Sequence, residues 1–166
     1  MRPTRMAVCL VSLLFSISLA IAQTPEPELR RSSLYILCAP GVTISEGSMA
    51  NLAIGGGAEG LIKGGFGVQG DLSYLFYPQE GFRAGFGLFS PGVFYQFHPN
   101  RKTIPFVTGG YSLAFRSETL HLVHYGGGLN HWFNNHWGIR FEVRNHTLVS
   151  SAGDQVLQFR FAFLHR

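Results

Sequence analysis

Arg140, Glu142 and Arg144 occupy alternate positions in the stretch 126–146, GGGLNHWFNNHWGIRFEVRNH, with Ile139, Phe141 and Val143 between them. Charges of both signs at a period of two put a row of ions on one face and a row of large apolar groups on the other. Glu59, Gln69, Asp71, Gln158 and Arg160 sit in the same every-second-residue setting elsewhere in the chain. The chemistry open to such a set is ion pairing, with Glu59, Asp71 and Glu142 as acids for Arg140, Arg144 and Arg160. If the set is enclosed, pairing is obligatory, because one uncompensated buried charge costs roughly 3–5 kcal/mol.

The other reactive residue types form no such constellation. The histidines are His98, His121, His124, His131, His136, His146 and His165. None stands in a close ligand spacing of the H-E-x-x-H or H-x-x-x-H kind. His124 falls on the opposite face from His121 and His131, so these three cannot share a metal. A cross-strand site joining His124 and Glu142, or a Ser150, His146, Asp154 group in one loop, has no supporting pattern. The glycine-rich IGGGAEG at 54–60 lies in a strand with no helix after it, so it does not read as a phosphate loop. No catalytic residue, metal ligand set or cofactor is therefore expected. Beyond Arg30-Arg31 and Arg101-Lys102 there is no dense basic cluster, so no nucleic acid is expected as a partner.

The elements that would carry these residues are strands. In 66–76, FGVQGDLSYLF, the residues Phe66, Val68, Leu72, Tyr74 and Phe76 share one face, while Gly67, Gln69, Asp71 and Ser73 share the other. In 156–164, Leu157, Phe159, Phe161 and Phe163 oppose Gln158, Arg160 and Ala162. This is the strand period, not the helical one. Eight such segments are expected, near 33–43, 51–61, 65–76, 84–97, 103–115, 120–133, 136–147 and 155–165. Pro91 inside the fourth suggests a bulge or edge-like irregularity. The connections at 62–64, 98–102 and 134–135 read as mostly tighter than those at 44–50, 77–83, 116–119 and 148–154, with the short 116–119 as an exception. In the hairpin around Asn134-Asn135, a three-residue loop from Phe133 to Asn135 sets Leu129 opposite Ile139 and Tyr125 opposite Val143. It pairs Gly128 with Arg140, Gly126 with Glu142 and His124 with Arg144, so that long side chains fold across glycines.

Alternation alone permits a soluble lipocalin-like barrel with an apolar inside, or a membrane barrel with an apolar outside. Composition separates them. Charged residues make up 13% of the chain, against about a quarter in ordinary soluble domains. The polar face is mostly glycine, and the two lysines, Lys63 and Lys102, both fall in turns. Glycine suits a crowded interior better than a solvated surface. The fold expected is an all-β, eight-stranded antiparallel up-and-down transmembrane barrel with a polar, side-chain-filled interior. Trp137, Tyr95, Phe97 and Phe163 at one end, with Tyr74, Phe76 and Tyr77 at the other, would form its aromatic girdles.

The first residues read differently. Arg2 and Arg5, an apolar run from Met6 to Ile21, and Ala20-Ile21-Ala22 form a secretory leader, residues 1–22, that is removed on export. Its loss lowers the formal net charge from +4 to +2. Residues 23–32 are a proline-rich lead-in, and 33–166 the barrel. Cys38 alone remains, so no internal disulfide is expected.

With these features together, the chain resembles the small eight-stranded outer-membrane barrels of bacteria, the family of the OmpA transmembrane domain and OmpX. PFVTGGYS at 105–112, the stretch 126–146 and the closing LQFRFAFLHR look like its final strands. Phe159, Phe161 and Phe163 resemble its C-terminal assembly signal, although this chain ends on Leu164-His165-Arg166. The resemblance implies a bacterial outer membrane, contact with its lipid, delivery by periplasmic chaperones and insertion by the assembly machinery. The function expected is non-enzymatic, structural or interactive, in a monomer with at most a narrow solute path. The alternatives are a periplasmic barrel binding an apolar ligand and a small membrane-embedded enzyme.

Overall fold

A computed structural model describes residues 32–45, 47–116, 119–150 and 153–166. The leader and nearly all of the lead-in lie outside these residues. Ser32, expected to end the lead-in, opens the first strand. The strands are β1 (Ser32–Ile44), β2 (Ser48–Lys63), β3 (Phe66–Tyr77), β4 (Gly81–Gln96), β5 (Thr103–Phe115), β6 (Thr119–Trp132), β7 (Trp137–Leu148) and β8 (Gln155–His165). Each pairs antiparallel with its sequence neighbours, and β8 pairs with β1, closing the barrel. Closure leaves no free sheet edge, so every strand finds its ladder partners within the wall.

The two faces of the wall are inverted relative to a soluble protein. Leu34, Ile36, Phe66, Leu72, Val93, Tyr125 and Phe161 are exposed outside, while Asp71, Glu142, Arg144 and Arg160 are buried inside. Phe161 is 51% exposed, and its β8 neighbour Arg160 is 2% exposed. An uninterrupted apolar exterior belongs in hydrocarbon, where every backbone group must be paired within the protein. That excludes the lipocalin-like arrangement, in which the apolar face would point inward.

The interior departs from expectation in not being polar throughout. Near the end that carries both termini, Ile104, Trp132 and Leu164 fill the lumen. Near the far end, Leu88, Ala114 and Leu122 pack together with Phe86 and Leu148. The ions lie between these two apolar layers. The full inward row of a strand crosses all three layers, so short apolar residues at its ends had no distinguishing period.

Several local expectations are corrected. Of the two possibilities for Pro91, the irregularity is found and the bulge is not: β4 and β5 keep one register from Phe89↔Leu113 to Gly92↔Gly110, with Ser90 and Pro91 between them unpaired to β5. Proline lacks the N–H that a ladder bond needs. The register shifts lie instead at Leu61/Lys63 and Leu75/Tyr77. Tyr77 packs into the interior rather than the far-end girdle, with its hydroxyl 3.4 Å from Thr43 Oγ1. The girdle there is Tyr74, Phe76 and Phe82, with ring centroids 4.7–6.4 Å apart. At the terminal end, Phe66 meets Tyr95 at a tilt and Tyr95 meets Phe97 edge to face, and Trp137 packs on Phe163.

Connections at the two ends are alike in size. Those at the far end span 45–47, 78–80, 116–118 and 149–154; those at the terminal end span 64–65, 97–102 and 133–136. The expected contrast between tight and long turns is absent, because the strands run past the last clearly alternating residues.

Candidate functional site: the ionised lumen

The hairpin that opened the sequence question sets the geometry of the lumen. Leu129 lies opposite Phe141, Gly128 opposite Glu142, Gly126 opposite Arg144 and His124 opposite His146. The expected faces are correct, but the pairing is displaced by two residues. The side chain of Asn134 is the reason. Its Oδ1 accepts from the backbone N–H groups of His136 and Trp137, at 2.9 and 2.8 Å. Phe133 N donates to Trp137 O at 3.0 Å, which closes the connection at 133–136 rather than at 133–135. A shift of two preserves the faces, whereas a shift of one would exchange them.

The glycines do make room, for different partners than expected. A Cβ on Gly128 would run into the Phe141 carbonyl oxygen and lie 2.8 Å from Glu142 Cα. A Cβ on Gly57 would lie 2.6 Å from Tyr35 Cζ and 2.7 Å from Asp71 Cβ. Arg140 is not across from glycine; it faces Asn130, whose Oδ1 accepts from Arg140 Nε at 2.8 Å.

The six charged residues singled out all turn inward and all find counter-ions. Asp71 on β3, Glu142 and Arg144 on β7, and Arg160 on β8 form a ring of alternating sign. Arg144 Nη1 lies 2.9 Å from Asp71 Oδ2, and Arg144 Nε lies 2.5 Å from Glu142 Oε1. Arg160 Nη2 is 3.0 Å from the same Asp71 oxygen, and its Nε is 3.6 Å from Glu142 Oε2. Arg140 pairs separately with Glu59 of β2, which also accepts from Ser33 Oγ at 2.8 Å. The Arg140 guanidinium is bracketed by the rings of Phe106 and Tyr35, at 4.5 and 5.2 Å. Three guanidiniums face three carboxylates, so the enclosed charge sums to zero. The two glutamines stand beside this network: Gln69 Nε2 donates to Thr108 Oγ1 at 2.9 Å, and Gln158 is buried on β8. Phe159, Phe161 and Phe163 are exposed on the outer face of β8.

A second polar layer was not foreseen. Ser112 of β5 sits at the centre of it. Its hydroxyl donates to Ser90 Oγ at 2.9 Å and lies 2.9 Å from His124 Nδ1 and 3.1 Å from His146 Nδ1. With its one proton directed to Ser90, the two lone pairs of Ser112 are left for the two Nδ1–H groups. Ser90, Ser112, His124 and His146 are all buried. The signal was present, since each is on the inward parity of its strand, but four strands, β4 to β7, must meet before the residues form a group. His124 joins His146 rather than Glu142. His146 is a lumen residue of β7, and the 149–154 loop that holds Ser150 and Asp154 does not include it.

Ser112 with two histidines is the nearest approach to nucleophile chemistry, and its geometry opposes that role. An activated serine gives its proton to the base; Ser112 gives it to Ser90. It is fully buried, below the Leu88, Ala114, Leu122 layer. Among the described residues, no group of three or more His, Cys, Asp or Glu is arranged to hold a metal ion.

No family model matches the chain, and no curated protein matches it. Solved structures do. Neisserial surface protein A superposes with a TM-score of 0.62 at 11% identity, over 81% of this chain and 96% of that one. The N-terminal β-barrel domain of Pseudomonas aeruginosa OprF gives 0.58 at 13% identity, over 80% and 96%. Ail, the attachment invasion locus protein of Yersinia pestis, gives 0.57 at 16% identity, over 81% and 97%. At these identities the likeness is one of fold. Together with the inverted faces of its wall, it gives this chain the fold of the small eight-stranded outer-membrane β-barrels.

Proposed function

We propose that this protein is a non-enzymatic, monomeric barrel of a bacterial outer membrane whose role is structural. The observation that carries the reading is the inversion of the wall: apolar side chains outside over all eight strands, and a neutral set of ion pairs inside. In this reading residues 1–22 direct export, periplasmic chaperones hold the unfolded chain, and Phe159, Phe161 and Phe163 present the closing strand to the assembly machinery. Both termini then face the periplasm. No solute path is included, because apolar layers lie above and below the ions. The far-end loops at 45–47, 78–80 and 116–118 are short, which favours a role in the wall itself over one in adhesion through long loops.

The test is fractionation with migration on a gel. The protein is expected in the outer-membrane fraction, with unboiled and boiled detergent samples running at different positions. A soluble monomer that needs no detergent would overturn the reading.

A further inference from the structure

We propose that the terminal-end rim between β5 and β8, with the furrow on the wall above it, binds one anionic phospholipid. The inference goes beyond the structural role, since it assigns a particular lipid chemistry to one sector of the barrel.

The rim gathers donors. Arg101, Lys102, His131, His136 and His165 are exposed there, and Arg166 is half-buried. Backbone contacts draw them into one sector. Trp132 N donates to Lys102 O at 2.8 Å, and Arg166 N donates to His136 O at 2.8 Å. The Thr103 hydroxyl lies 2.8 Å from His131 Nδ1. Trp137 stands opposite His165, with ring centroids 4.3 Å apart. The Arg166 guanidinium lies over the Trp132 ring at 3.7 Å, which holds the last residue at the rim.

Among the described residues, no Asp or Glu is ion-paired with Arg101 or Lys102, while the Arg166 guanidinium lies in the field of Glu59. Glu59, Asp71 and Glu142 are enclosed with the lumen arginines. Glu80 and Asp154 stand at the far end, where Arg83 and Arg116 balance them. The described far-end charges therefore cancel, while the terminal end keeps the positive charge of Arg101 and Lys102.

The furrow supplies the second half of the site. A groove of about 720 Å³ runs up the outer wall between Ile36, Leu129, Ile139, Phe141, Phe161 and Phe163. It is apolar along its length and ends at Thr103 and His131, which belong to the rim as well. That volume falls in the range of small-molecule sites. A phosphate diester accepts charge-assisted hydrogen bonds from arginine and lysine, and an acyl chain lying in the furrow covers the apolar surface. A ligand with a negative head and a long apolar tail matches both parts; a free phosphate would leave the furrow bare.

Tryptophan fluorescence in vesicles tests this. The variant Trp132→Phe keeps a ring beneath Arg166 and leaves Trp137, on the rim beside Phe163, as the sole emitter. The full-length protein is inserted into phosphatidylcholine vesicles containing about one-tenth brominated phosphatidylglycerol or, separately, the same fraction of brominated phosphatidylcholine. The anionic lipid is expected to quench Trp137 at least about twofold more than the neutral one. That ratio is expected to fall to one when Arg101→Gln and Lys102→Gln are added, and in about 0.5 M salt, where the screening length shrinks to a few ångströms. Equal quenching by the two lipids would overturn the site while leaving the barrel reading intact. A preference that survives the double substitution would overturn the assignment to the rim. Absence of quenching by either lipid would overturn the membrane reading itself.

Discussion

Strands β7 and β5 line the same lumen by opposite means. The inward row of β7 is Gly138, Arg140, Glu142, Arg144 and His146; that of β5 is Ile104, Phe106, Thr108, Gly110, Ser112 and Ala114. β7 brings three formal charges and needs partners on β2, β3 and β8 before it can be buried. β5 brings none and is satisfied by contact and by single hydrogen bonds from Gln69, His124 and His146. The comparison shows two ways to fill a closed cylinder. The neutral strand tolerates local error, because each of its contacts is small. The charged strand does not, because removing one ion strands its partners away from water. It also specifies the register more sharply, since each ion is satisfied only when particular strands are in place.

Substitutions can break or sharpen this contrast, and unfolding by urea from vesicles, followed by tryptophan fluorescence, is the measurement for all of them. Glu142→Leu leaves Arg144 and Arg160 sharing Asp71 alone, and it is expected to cost roughly 3–5 kcal/mol. A loss below about 1 kcal/mol would remove the distinction between the two strands. On the outer face of the same strand, Phe141→Arg is expected to cost ~2–4 kcal/mol as a cation near mid-bilayer. Tolerance of that change would mean that the β7 exterior does not meet lipid. Gly128→Ala lies between the two strands, opposite Phe106 on one side and Glu142 on the other. The added methyl runs into the β7 backbone, for an expected loss of ~1–3 kcal/mol. The smallest effect belongs to β5 itself: Ile104→Val removes one methylene from the terminal-end layer and is expected to cost ~0.5–1.5 kcal/mol. An effect of Ile104→Val equal to that of Glu142→Leu would show that layer, not the ion ring, to be the more sensitive part.

Alternation of residue type determined much of this molecule without any coordinates. It set the number of strands, the faces of the clearly alternating residues though not that of Tyr77, and the inward turn of Glu59, Asp71, Arg140, Glu142, Arg144 and Arg160. Composition added that the apolar face should be the outer one. These properties follow from the period of two and the cost of burying charge, and both act along a single strand. What the tertiary structure decided depends on several strands meeting. The 126–146 hairpin slid by two residues because the Asn134 side chain caps its own turn, a choice that leaves the pattern of faces unchanged and so invisible to it. The Ser90, Ser112, His124, His146 group, the apolar layers above and below the ions, and the alternating ring around Asp71 exist only once the barrel has closed. Closure brings residues far apart in the chain to hydrogen-bonding distance, and a periodic sequence records which way a side chain points but not whom it will face.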